Sequence, residues 1–94
     1  MIEIKLKPRE VVITGHAKSD VKGKDLVCCA VSTLYYSLIA NLLHYTNDIE
    51  YDGEEGHARV FIKKYNAGAA RSYRFFKIAI KELEKKYPTF IKIL

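Results

Sequence analysis

The sequence predicts an α+β fold, a two-layer sandwich in which two helices cover one face of a mostly antiparallel five-stranded sheet. Three observations carry that expectation. Short stretches at both ends and in the middle are rich in β-formers or alternate apolar and polar residues with a period of two, as half-buried strands do. Two longer stretches, residues 26–43 and the segment after Asn66, repeat apolar residues at helical spacing. Turn residues divide the strands into pairs, so the order reads β-β-α-β-β-α-β, and both apolar helix faces can be buried against a single sheet face.

Ile2, Ile4 and Leu6 alternate with Glu3, Lys5 and Lys7, giving a first strand with one wet face that Pro8 ends. Arg9 and Glu10 connect it tightly to a second strand over Val11, Val12, Ile13 and Thr14, closed by Gly15. Residues 17–24 hold one sizeable apolar side chain, Val21, and too little else to grip a core, so a mobile loop is expected there. Asp25 reads as the N-cap of the first helix, its carboxylate accepting from the free N–H groups of the first turn, with Leu26, Val27 and Cys28 following. Ala30, Val31, Leu34, Leu38, Ile39 and Leu42 then recur at helical spacing on a helix apolar nearly all round, which marks it as central. Ser32, Tyr35, Tyr36 and Ser37 add polar tips that are satisfied locally or face a subunit partner.

A second hairpin is expected from residues 49–51 and 58–63 around the acidic, glycine-bearing turn at 52–56. After Asn66, a helix cap, Ala69, Tyr73, Phe76, Ile80, Leu83 and Tyr87 form one face of the second helix, which Pro88 stops. Residues 90–94 read as the last strand.

At 94 residues with 29% charged side chains, the chain is sized for one domain spanning 1–94. The N-terminus lacks the apolar run of a signal peptide, and no membrane partner is expected, which points to the cytoplasm. Two adjacent cysteines without a third cannot build a disulfide framework, so reduced thiols are expected. His44 and His57 have no ligand constellation near them in sequence, and neither a metal nor any other cofactor is expected. The net charge of +5 is compatible with an anionic neighbour, although the cations are scattered among carboxylates.

The chemistry concentrates between Gly15 and Ser32. His16 follows the second strand and Cys28 lies about one turn into the helix, so a closed loop would bring imidazole and thiol within hydrogen-bonding reach. A thiol near a helix N-terminus or an imidazolium ionises more readily, and free N–H groups there can receive the oxyanion of a tetrahedral intermediate. His16 would take the thiol proton and later give it to the leaving amine, in acyl transfer that ends in hydrolysis. Each residue also has a plainer reading: Cys29 packs as a small hydrophobe, Asp25 only caps, and Ser32 bonds its own i−4 carbonyl instead of substrate.

Gly15-His16-Ala17 and Asp25-Leu26-Val27-Cys28, with Ala30-Val31-Ser32 after them, resemble the ribosomal-processing cysteine proteases called Prp, over nearly the whole chain. The resemblance implies a small α/β homodimer with Cys28 and His16 catalytic, and with Gly15, Asp25 and Ser32 around the site. It implies as substrate the N-terminal extension of a large-subunit ribosomal protein, cut after a pair of aromatic residues. Cys29 stands where the family commonly has a small residue, and the motif register selects Cys28. Lys18, Lys22 and Lys24 would face ribosomal RNA or water. The alternative from another class is a non-enzymatic RNA- or ribosome-binding module, carried by Arg59, Lys63, Lys64, Arg71 and Arg74 interleaved with Tyr65, Tyr73 and Phe75.

Overall fold

The computed structural model describes residues 1–15, 24–54 and 56–94, with the backbone alone at Lys24 and Asp25. His16 and the loop read over residues 17–23 lie outside the described residues.

The element order is the one expected: β1 (Ile2–Leu6), β2 (Glu10–Thr14), α1 (Lys24–Tyr45), β3 (Ile49–Glu54), β4 (His57–Ile62), α2 (Ala67–Lys86) and β5 (Ile91–Ile93). The five strands form one sheet in the order β3-β4-β2-β1-β5. All neighbours are antiparallel except β1 and β5, which run parallel with Ile2 opposite Ile91. Ile2, Ile4, Val11, Ile13, Val60, Ile62 and Ile91 point to one face and are buried there, while Glu3, Lys5 and Lys92 on the other face stay exposed. The period-two pattern therefore becomes a sheet that, among the described residues, is covered on one side.

Both helices lie on that covered face. α1 contributes Val27, Val31, Tyr35, Leu38, Ile39 and Leu42 to the core, and α2 contributes Ala69, Tyr73, Phe76 and Ile80. By length and composition α1 would pass for a membrane span over Leu26–Tyr45; Val27, Val31, Tyr35, Leu38, Ile39 and Leu42 are buried in the core, while Leu26, Tyr36, Leu43 and Tyr45 are exposed. Tyr73 ties α2 to the first hairpin, its hydroxyl donating to the carbonyls of Lys7 and Glu10. Asn66 caps α2 as expected, accepting from the Ala69 N–H at 2.8 Å.

Several boundaries differ from the sequence reading, and α1 runs on past residue 43 to Tyr45. α1 begins at Lys24, so Lys24 leaves the expected loop and Asp25 is the second helical residue, not the cap. The strands of the second hairpin run on through the acidic segment to Glu54 and resume at His57, where the sequence's two glycines had suggested a longer break. The last strand is shorter than residues 90–94.

Candidate active site

Cys28 is the fifth residue of α1, half-buried, and opens into a cleft of about 310 Å³ at one end of the sheet. Helix geometry determines what stands beside it. Ser32 and Tyr36 follow at intervals of four and share its face, with Val31 and Tyr35 one step round. The opposite wall comes from the tip of the second hairpin, Gly53, Glu54, Gly56, His57 and Ala58, and the floor from Ile2, Ile13 and Gly15 where β1 begins and β2 ends. The cleft thus gathers Gly15, Cys28 and Ser32, three residues singled out from the sequence. It also touches the last described residue before His16.

Gly15 is held in a conformation that needs glycine. Its φ is +97°, and a β-carbon there would run into the Met1 carbonyl oxygen. Its N–H donates to the Gly56 carbonyl at 3.0 Å, joining the end of β2 to the hairpin tip. The chain leaves the sheet at a defined point on the rim of the cleft.

Cys28 lies deeper in its helix than the third helical position first read for it. Its own N–H is placed to bond the Lys24 carbonyl in the i→i−4 pattern, so the free N–H groups belong to the turn before it. The Cα–Cβ bonds of a helix lean toward the N-terminus, which carries the thiol back toward that turn. Cys29 differs more from expectation. It is exposed instead of packed, because the step of about 100° from Cys28 turns it away from the sheet.

The hairpin wall is fixed by Tyr35. Its hydroxyl donates to the carbonyls of Asp52 at 2.5 Å and Arg59 at 2.7 Å, cross-strand partners in the β3–β4 register. Burial, with the Asp52 and Tyr36 charges adding to it, pushes the phenol up to about 12. Tyr36 is 56% exposed, and its hydroxyl stands 2.8 Å from where a Gly53 β-carbon would be.

His57, set aside in the sequence, borders the cleft, but strand alternation decides its role. Ala58, Val60 and Ile62 face the helices, so His57, Arg59 and Phe61 face the other side, where His57 Nδ1 lies 3.9 Å from Asp52 Oδ1. That imidazole points away from the thiol's helix. Among the described residues no three His, Cys, Asp or Glu side chains converge as metal ligands.

Three of the residues read as a nucleic-acid surface are engaged within the fold. Tyr73 is fully buried, Arg59 pairs with Glu10, and Lys63 pairs with Glu50 at 2.7 Å. Sequence reasoning had missed the Tyr35, Tyr36 and Gly53 part of the wall. The two tyrosines follow Cys28 at seven and eight residues, a two-turn spacing that was the available signal, but their hairpin partner is set by the tertiary fold.

The family model for Cysteine protease Prp matches residues 1–92. No curated protein matches the sequence. Among solved structures, the essential ribosomal processing protease Prp from S. aureus in complex with a substrate peptide is similar with a TM-score of 0.78 at 21% identity, over 99% of this chain and 95% of that one. The same S. aureus protein with a covalently linked product peptide gives 0.76 at 22% identity, over 98% and 94%. SMU.848 from Streptococcus mutans gives 0.75 at 23% identity, over 98% and 89%. These likenesses establish the shared fold.

Proposed function

Because the chain belongs to the cysteine protease Prp family, we propose that it is a cytoplasmic endopeptidase that trims the N-terminal extension of a large-subunit ribosomal protein after a pair of aromatic residues. The observation that carries this is Cys28 opening from α1 into a cleft with Ser32 and Gly15 on its rim. The S. aureus relatives, described as ribosomal processing proteases in complex with substrate and product peptides, support the choice of substrate.

In this reading His16 takes the Cys28 proton, and the thiolate sulfur attacks the scissile carbonyl carbon. The tetrahedral intermediate collapses as His16 protonates the departing amine, leaving the N-terminal fragment as a thioester on Cys28. Water, deprotonated by His16, hydrolyses that thioester and restores the thiol. N–H groups of the first turn of α1 stabilise the oxyanion, and Ser32 bonds the substrate. Thiol and imidazole suffice for these steps, which call for no cofactor. The active form is a homodimer.

A synthetic peptide containing a Phe-Phe pair tests the assignment. The wild-type protein should cleave it after the second aromatic residue, Cys28→Ala should reduce cleavage to background, and Cys29→Ala should retain it. An inert wild type, or full activity in Cys28→Ala, would count against the assignment.

A further inference from the structure

β3 is an edge strand, and it is the edge that runs into the cleft. Which of its backbone groups are free follows from the ladder. The Lys63 N–H donates to the Asp48 carbonyl at 2.9 Å, in the same register that sets Ile49 opposite Ile62. Hydrogen-bonded and non-hydrogen-bonded pairs alternate along an antiparallel ladder. Glu50, Asp52 and Glu54 therefore turn their N–H and C=O groups toward β4, and Tyr51 and Gly53 turn theirs outward. Those of Gly53 lie at the cleft wall, across from the Cys28, Ser32 and Tyr36 face of α1. Among the described residues, no hydrogen bond is made to them.

The side chains agree with an extended ligand. Tyr51 stands opposite buried Val60 and so lies on the helix side of β3, yet it is 52% exposed, with no strand or helix among the described residues covering it. Tyr36 rises over Gly53 on the same side and is also more than half exposed. A chain added along β3 would direct every second side chain to that side, between these two phenol rings.

We infer that the substrate peptide binds as a sixth strand on the free edge of β3, pairing its backbone with Tyr51 and Gly53 and resting alternate side chains against Tyr36 and Tyr51. Backbone pairing supplies sequence-independent affinity, and the tyrosines select apolar or aromatic residues beside the scissile bond. Gly53 matters because any side chain there would push Tyr36 across the path of the incoming strand. The inference rests on the protease reading of the cleft.

Amide hydrogen exchange on the Cys28→Ala protein, with and without the Phe-Phe peptide, tests it together with a scan of peptides N-methylated at one backbone position each. The bound peptide should slow exchange at Tyr51 and Gly53 by at least about tenfold, and N-methylation at a pairing position should weaken binding about tenfold. Saturating peptide that leaves both amides exchanging as before overturns the inference, as does an N-methyl scan with no sensitive position. Protection of β3 that rises with protein concentration without peptide also overturns it, since a second copy then holds the edge. Cleavage by wild type without β3 protection removes this inference and leaves the protease reading intact. β3 protection with no cleavage by wild type removes the protease reading, and with it the peptide's standing as substrate, leaving only peptide docking on β3; a peptide that neither binds nor is cut removes both.

Discussion

Two glycines of the cleft make opposite predictions. At Gly15 the backbone sits at φ +97° and a β-carbon would meet the Met1 carbonyl, so Gly15→Ala should lower stability by about 1–3 kcal/mol in urea unfolding. At Gly53 the obstacle is the Tyr36 hydroxyl at the far end of an exposed side chain, which can swing aside. Gly53→Ala should cost less than about 1 kcal/mol of stability while raising KM for peptide. Equal losses from the two variants would contradict this. Gly15 was legible in the sequence because it follows a strand and precedes His16. Gly53 was read only as a turn residue, since its real constraint comes from a tyrosine seventeen positions earlier in the chain (53 − 36).

Elements hold the cleft open through one phenol. Tyr35 spans from α1 to both strands of the second hairpin, and Tyr35→Phe should cost roughly 0.5–1.5 kcal/mol, the usual net worth of such a hydrogen bond. Its pH dependence has a definite sign. Burial raises the folded-state value from 10.0 to about 12, so this contribution is intact below pH 10 and is lost as pH rises through 12. Tyr73, also raised to about 12 mainly by burial, behaves the same way on α2. Urea unfolding should show stability falling above pH 10, less steeply in Tyr35→Phe; equal slopes would contradict the linkage. α2 was legible from its periodicity and its Asn66 cap. The apolar surround of α1 showed that it was central, but not which face carried the site, because periodicity is lost when nearly every side is apolar.

Across the molecule, the two hairpins are joined by Glu10, which accepts from Arg59 and pairs with Lys7 at 3.2 Å. The Arg59 hydrogen bond holds the Glu10 carboxyl below its ordinary 4.5, so the stabilisation is present above that pH and fades as pH falls through the lowered value. Glu10→Gln should lose roughly 0.2–1 kcal/mol at pH 7, a deficit that shrinks in acid; a constant deficit would contradict the pairing. The β-β-α-β-β-α-β order could be read from turn residues and periods, whereas the parallel β1–β5 pairing could not, because nothing local to residues 91–93 encodes a partner at the other end of the chain. Placing Cys28 at the cleft is the claim on which the molecule's function turns. Acid-quenching the wild-type protein during turnover of the Phe-Phe peptide, then mapping the acyl adduct by mass spectrometry, tests it most directly. The N-terminal peptide fragment should be found on Cys28; its appearance on Cys29, or cleavage with no thioester on either cysteine, would contradict the account.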